Sequence, residues 1–174
     1  ENIEVVRENI KKYIPDVNFE VVSGGKERQD SIYNGLKVIE NEGFEYVAVH
    51  DGVRPFITKR YIEESLDILR QNSSIDGVVV GVKVKDTIKV VDRDGNIEST
   101  PDRNSLMAAQ TPQVFRFEKL KSSYERAFES GFYGTDDSSL VERCGGKVLF
   151  LEGSYENIKI TTVEDLKHLE EAGV

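Results

Sequence analysis

Tyr46-Val47-Ala48-Val49-His50-Asp51-Gly52-Val53-Arg54-Pro55 is the stretch that decides how this chain folds. Its first four residues are uncharged and mostly apolar, a run long enough for a strand and too short for a helix. A strand apolar on both faces suits a buried place in a parallel sheet. Polar residues then begin abruptly at His50-Asp51. In open α/β sheets, ligands gather beyond the carboxyl ends of strands. Asp51 and Arg54 therefore fall where a site would form.

The pattern on either side agrees. Upstream, Ile32, Leu36, Val38 and Ile39 mark a helix over 30–41. It follows the turn Ser23-Gly24-Gly25 and a short strand over 18–22. Earlier still, Ile3, Val6, Ile10 and Tyr13 predict a helix over 2–13, ended by Ile14-Pro15. Downstream, Thr58 is placed to cap a helix over 58–71, and 77–84 reads as a second buried strand. Segments 87–91 and 97–100 flank Asp94-Gly95 and predict a hairpin. Helices over 117–130 and 138–144 follow, the latter ended by Gly145-Gly146. Strands are predicted at 147–151 and 158–160, then a closing helix over 163–172 with Thr162 as its cap. This alternation predicts one domain over 1–174, a three-layer α/β sandwich with a mostly parallel sheet and a hairpin excursion.

Composition removes several function classes. The chain has 174 residues with 23 Lys and Arg against 32 Asp and Glu, a net charge of −9. An acidic chain without a clustered basic face is a poor nucleic-acid binder. No apolar run reaches the length of a membrane-spanning helix, and no secretory leader is visible. One cysteine, Cys144, makes no internal disulfide, and with only His50 and His168 beside it no structural zinc site is expected. A soluble, cytoplasmic protein is the expectation.

Several residues are candidates for chemistry, and each has a plain alternative. Asp51, directly after a buried strand, is placed to hold Mg²⁺, which takes one or two carboxylates plus phosphate oxygens; it also reads as the start of a turn. Arg54 offers a forked donor set to phosphate, or a solvated side chain. Gly24-Gly25 lets backbone approach a ligand, and Ser31 either caps a helix or meets a base edge. Arg103 reads as a phosphate donor or a surface ion pair. Gly134-Thr135-Asp136-Asp137 reads as a phosphate or metal loop, or as a helix N-terminus. Lys159, inside Ile158-Lys159-Ile160, is a phosphate clamp or simply points outward. No P-loop ending and no Gly-x-Ser-x-Gly elbow is present. His50 and Cys144 make a poor thiol dyad, since Cys144 sits at a helix end.

Seven motifs occur in a specific order: Gly24-Gly25-x-x-Arg28-x-x-Ser31-x-x-x-Gly35-Leu36, His50-Asp51-Gly52-x-Arg54-Pro55, Val84-Lys85-Asp86-Thr87, Asp102-Arg103, Gln110-Thr111-Pro112-Gln113, Gly134-Thr135-Asp136-Asp137 and Glu152-Gly153-x-x-x-Asn157-Ile158-Lys159-Ile160-Thr161. Together they resemble the 2-C-methyl-D-erythritol 4-phosphate cytidylyltransferase family of the non-mevalonate isoprenoid pathway. The resemblance implies a Rossmann-like domain akin to nucleotide-diphospho-sugar transferases, with a β-arm at about 85–108 through which the family forms homodimers. It implies CTP and methylerythritol phosphate as substrates and Mg²⁺ as the ion. It assigns Gly24, Gly25, Ser31, Asp51 and Gly52 to the nucleotide, with Asp51 also holding the metal. Arg54, Thr87, Arg103, Thr135 and Lys159 are assigned to the acceptor phosphate. Lys159, Arg103 and Asp51 are the expected catalytic set.

Such a transfer depends on positioning and charge, with little covalent work by the protein. The family also carries a glycine-rich CTP loop of the Leu-Ala-Ala-Gly-x-Gly-x-Arg kind, followed by a lysine. Nothing in these 174 residues matches it. The expectation is an N-terminally incomplete domain, inactive in this form. Two alternatives are a cytidylyltransferase for another polyol phosphate, such as ribitol 5-phosphate, and a non-catalytic dimerisation or binding module.

Overall fold

The computed structural model of the chain describes residues 3–167. Helix α1 (Ile3–Tyr13) occupies the first amphipathic stretch and buries none of its residues. Helix α2 (Arg28–Ile39) begins at Arg28 rather than at Asp30, because Glu27 takes the N-cap and donates its backbone N–H to Asp30 Oδ2 at 2.9 Å. Strand β1 (Tyr46–Val49), helix α3 (Lys59–Gln71) and strand β2 (Gly77–Lys83) follow where the pattern puts them. Strands β3 (Val90–Val91) and β4 (Ile97–Ser99) pair only with each other, and every residue of both is exposed. Asp92 Oδ1 accepts the backbone N–H groups of Asp94 and Asn96, and Gly95 takes the positive φ of 86° that the turn requires. A 3₁₀ turn (Arg103–Ser105) leads into β5 (Met107–Arg116), α4 (Phe117–Glu129), α5 (Asp137–Arg143) and β6 (Val148–Glu152).

The main sheet has the order β1-β5-β2-β6. β2 and β6 are parallel, and β5 runs antiparallel to both β1 and β2. Three of the four strands thus point the same way, with β5 reversed between β1 and β2.

The residue pattern predicts no strand over 107–116, and its polar Gln110-Thr111-Pro112-Gln113 core argues against one. The structure seats Pro112 at a break in register: Gln113 pairs with Val79, whereas Ala109 pairs with Gly81. A proline at a bulge owes the ladder no N–H. The polar side chains find local partners, as Gln113 shows by donating to Asp136 Oδ2 at 2.8 Å.

Four other expectations are corrected. Segment 18–22 forms no strand and has no ladder partner among the described residues. Segment 158–160 is extended but outside the sheet, tied by the Ile160 N–H to Val53 O at 2.8 Å. Its alternation is as expected, with half-buried Ile158 and Ile160 around exposed Lys159. Strand β1 does not take the buried parallel place expected of it: it ends the sheet order, pairs antiparallel with β5, and only Val49 is buried. The closing helix expected over 163–172 lies outside the described residues from 168 onward, and its described start is a 3₁₀ turn (Glu164–Leu166). Thr162 does cap it, its Oγ1 accepting the Asp165 N–H at 3.3 Å.

The core lies on both sides of the sheet. Leu36, Val49, Phe115, Phe117, Leu120, Tyr124, Leu140 and Val141 pack one face under α2, α4 and α5. Leu69, Val78 and Val114 pack the other under α3. Val114 and Phe115 are sequence neighbours and face opposite layers, as a strand requires. The Phe115 ring lies against Gly77, where an added Cβ would stand 2.3 Å from it. Among the described residues no helix is long and apolar enough to cross a membrane. Helix layers on both faces leave the carboxyl end of β1 open, and the loops around it build the site.

Candidate active site

Asp51 emerges from the end of β1, and three cations from three parts of the chain converge on it. Lys159 Nζ lies 3.0 Å from Asp51 Oδ2. Arg54 Nε stands 3.8 Å from the same oxygen. Arg28, at the start of α2, reaches Oδ1 at 3.4 Å. The Asp51 side chain is 14% exposed, so this charge cluster sits at the rim of the fold rather than free in water.

A buried layer supports these groups. Asp137, fully buried at the start of α5, accepts Arg28 Nη2 at 2.9 Å and the Tyr124 hydroxyl. Arg28 therefore bridges two carboxylates. The Asp51 N–H donates to Thr111 Oγ1 on β5 at 3.0 Å. Thr111 Oγ1 lies 3.0 Å from His50 Nδ1, and His50 Nε2 lies 3.0 Å from the Arg54 carbonyl. Arg54 Nη1 donates to the Asn157 carbonyl at 2.7 Å.

The electrostatics follow from this packing. Burial opposes ionisation of Asp51, but the paired Lys159 ammonium and the Arg28 charge outweigh it and hold the carboxyl below its ordinary value. Arg28 is raised: burial works against its charge, and Asp137 and Asp51 more than compensate. Burial lowers Arg54, with Asp51 opposing the shift. Burial and the Asp137 charge push the Tyr124 hydroxyl up, so it stays a donor.

The structure brings together Asp51, Arg54 and Lys159 of the sequence-derived set. Gly24, Gly25 and Ser31 form a second group at the start of α2, where Ser31 Oγ accepts the Gly25 N–H at 2.9 Å. Gly52 is exposed, with open space around its Cα. Thr135 is exposed just before Asp136, the N-cap of α5. Arg103 and Thr87 lie apart from Asp51, in the segment that carries the hairpin; Arg103 Nη1 donates to the Lys85 carbonyl at 2.8 Å, and Thr87 is exposed. A cleft of about 860 Å³ opens beside the cluster, between Pro55–Thr58 with Tyr61 and Ser154–Ile158.

Three site residues escape a reading of the sequence: Arg28, Thr111 and Asn157. All three sit inside quoted motifs, and Asp137, read as part of a phosphate or metal loop or of a helix N-terminus, takes the second of these places and anchors Arg28 from there. Asn157 is 1% exposed, and its Nδ2 donates to the Thr111 carbonyl at 2.9 Å.

The donor set also bears on metals. Among the described residues no group of three or more His, Cys, Asp or Glu could cage an ion. One ionised carboxylate at an open rim fits Mg²⁺, which draws its remaining ligands from phosphate and water.

Comparison with known proteins gives one consistent answer. The family model described as 2-C-methyl-D-erythritol 4-phosphate cytidylyltransferase matches residues 4–172. A protein of that name from Clostridioides difficile is 48% identical over 171 residues, covering 98% of this chain and 70% of the relative. Its counterpart from Caldanaerobacter subterraneus is 50% identical over 167 residues, covering 95% of this chain and 72% of the relative. The crystal structure of 4-diphosphocytidyl-2C-methyl-D-erythritol synthase from Anaerococcus prevotii superposes with a TM-score of 0.86 at 35% identity, covering 98% of this chain and 74% of that one.

Proposed function

Since the chain belongs to the 2-C-methyl-D-erythritol 4-phosphate cytidylyltransferase family, we propose that it transfers CMP from CTP to 2-C-methyl-D-erythritol 4-phosphate. The products are 4-diphosphocytidyl-2-C-methyl-D-erythritol and pyrophosphate, a step of isoprenoid precursor synthesis. An acceptor phosphate oxygen bonds to the α-phosphorus of CTP as the bond to the pyrophosphate oxygen breaks. That oxygen is already ionised at neutral pH, so the protein needs no general base.

The observation that carries this reading is the convergence of Arg28, Arg54 and Lys159 on Asp51. Phosphoryl-type transfers are accelerated by fixed charges aimed at developing negative charge. Lys159, paired with Asp51 yet 43% exposed, would neutralise the reacting phosphate. Arg54 would meet the acceptor phosphate. Asp51 would hold Mg²⁺, which would supply positive charge against the phosphates.

Gly24, Gly25, Ser31 and Gly52 would line the nucleotide. Thr135 would complete the acceptor side, together with Thr87 and Arg103. Because Arg103 and Thr87 lie on the arm segment, they serve best across a homodimer whose arm covers the neighbouring site. The chain is read as one nucleotidyltransferase domain, working in the cytoplasm, with its excursion at about 85–108 as that arm.

The test is pyrophosphate release by the full-length gene product with CTP and Mg²⁺, offered methylerythritol phosphate or ribitol 5-phosphate. Turnover with the first is expected. Turnover with ribitol 5-phosphate alone would reassign the acceptor, and none with either would remove the catalytic reading.

A further inference from the structure

We infer that Thr111 and His50 are positioning residues, which set the Asp51 loop in register with the loop carrying Lys159 through one closed circuit of hydrogen bonds. This rests on the function proposed above, in which those two loops must meet around one phosphate.

The circuit fixes one proton position. The Arg54 carbonyl can only accept, so His50 Nε2, 3.0 Å away, carries a proton. His50 Nδ1 faces the Thr111 hydroxyl at 3.0 Å. The hydroxyl oxygen accepts the Asp51 N–H at 3.0 Å. Thr111 turns its backbone carbonyl the other way, to Asn157 Nδ2 at 2.9 Å. The Asn157 carbonyl accepts Arg54 Nη1 at 2.7 Å and closes the ring.

Three segments are joined: the loop after β1, strand β5 and the loop after β6. Thr111 is 5% and Asn157 1% exposed, which leaves water little access to replace a lost partner. The hydroxyl of Thr111 faces one loop and its carbonyl the other. Neither Thr111 nor His50 contacts Lys159 or supplies charge; they act through Asp51 and Arg54. A misplacement of about 1 Å at a reacting centre lowers rate on the order of 10²-fold.

The experiment pairs spectroscopy with kinetics on the full-length gene product. Protein carrying ¹⁵N-histidine is observed by NMR, and His50→Asn identifies the His50 signals. The expected spectrum shows a proton on Nε2. Thr111→Val keeps the shape and removes the hydroxyl, so the Nδ1 signal should move; Thr111→Ser should return it. Thr111→Val should lower kcat roughly 10- to 100-fold, the range found for groups that orient catalytic ligands, with the KM for CTP little changed. Thr111→Ser should recover most of that rate.

An Nε2 without a proton, or a wild-type kcat in Thr111→Val, each overturns the inference. Should Thr111→Val fail to fold, the Nε2 proton and the Thr111→Ser rate still decide it: a proton on Nε2 with near-normal kcat supports the circuit, and the opposite of either defeats it. Absence of transfer in the unaltered protein would instead defeat the proposed function, whereas an Nε2 without a proton in an active protein defeats only this inference.

Discussion

Lys159 Nζ stands 3.0 Å from Asp51 Oδ2, although the two residues belong to loops that follow different strands. An isolated surface pair of this kind contributes little to stability. This one is shared with Arg28 and Arg54 around a carboxylate largely withdrawn from water. On the proposed function, its value would lie in holding a cation where phosphate charge develops. Lys159→Ala should therefore lower kcat by on the order of 10²–10³, the loss typical of one preorganised donor. Stability should change by less than about 1 kcal/mol. Steady-state kinetics and urea unfolding of the same preparation check both. An unchanged kcat would place Lys159 outside the chemistry.

Asp51→Asn should nearly abolish Mg²⁺-dependent turnover and also change the acid response of the fold. The Asp51 carboxyl is depressed in the folded state, burial opposing and Lys159 with Arg28 prevailing. As pH falls, the unfolded chain takes up its proton first. The stabilisation is thus fully present above the ordinary carboxylate value of 3.8 and is lost as pH drops through the lower folded value. Urea midpoints for both proteins between about pH 7 and pH 3 should differ by a constant amount at the top of that range. The wild-type advantage should shrink below about pH 4. An advantage that grows with acidity would reverse the assigned sign.

Much of this was legible in the sequence. Apolar runs at 46–49 and 77–83 announced the strands, and the polar residues after the first announced the site. The hairpin was legible from Asp94-Gly95. Strand β5 was not, because its middle residues are polar and include Pro112. Those side chains are satisfied by partners remote in sequence, as Gln113 is by Asp136. The same remoteness hid Asn157 and the pairing of Asp137 with Arg28. Burial with a fixed partner is a tertiary property, and local spacing carries no trace of it. Segment 18–22 failed in the other direction: its strand propensity is real, but a strand needs a neighbour.

Asp137 should prove a structural carboxylate with a functional consequence. It is fully buried and accepts from both Tyr124 and Arg28. Removing it leaves the buried Tyr124 hydroxyl without its acceptor and Arg28 with only the longer contact to Asp51. Asp137→Ala should cost about 2–3 kcal/mol of unfolding free energy, as for a lost charged hydrogen bond. Conservative Asp137→Asn keeps an acceptor for Tyr124 but gives up the charge opposite Arg28, and should cost less while still slowing turnover. Calorimetry and kinetics on the pair separate the two effects. Equal stability for the two variants would mean that the acceptor kept for Tyr124 contributes nothing, and an Asp137→Asn protein as stable as the unaltered one would mean that the charge contributes nothing.

Gly24 and Gly25 offer a graded test of the nucleotide side. An added Cβ at Gly25 would lie 2.1 Å from Asp30 Cβ, on the first turn of α2, where no side-chain rotation relieves it. At Gly24 the same atom would meet Ser31 Oγ at 3.1 Å, and a hydroxyl can yield by a few tenths of an ångström. Gly25→Ala must therefore shift the loop away from the helix and weaken the bond from its N–H to Ser31 Oγ. Overpacking of this kind typically costs about 1–3 kcal/mol. If the loop lines the nucleotide, Gly25→Ala should raise the KM for CTP by about tenfold or more, equivalent to roughly 1.4 kcal/mol. The KM for the acceptor should hardly move, and Gly24→Ala should fall between wild type and Gly25→Ala. A rise confined to the acceptor KM would move this loop to the other substrate, because the same steric shift would then be felt by a different ligand.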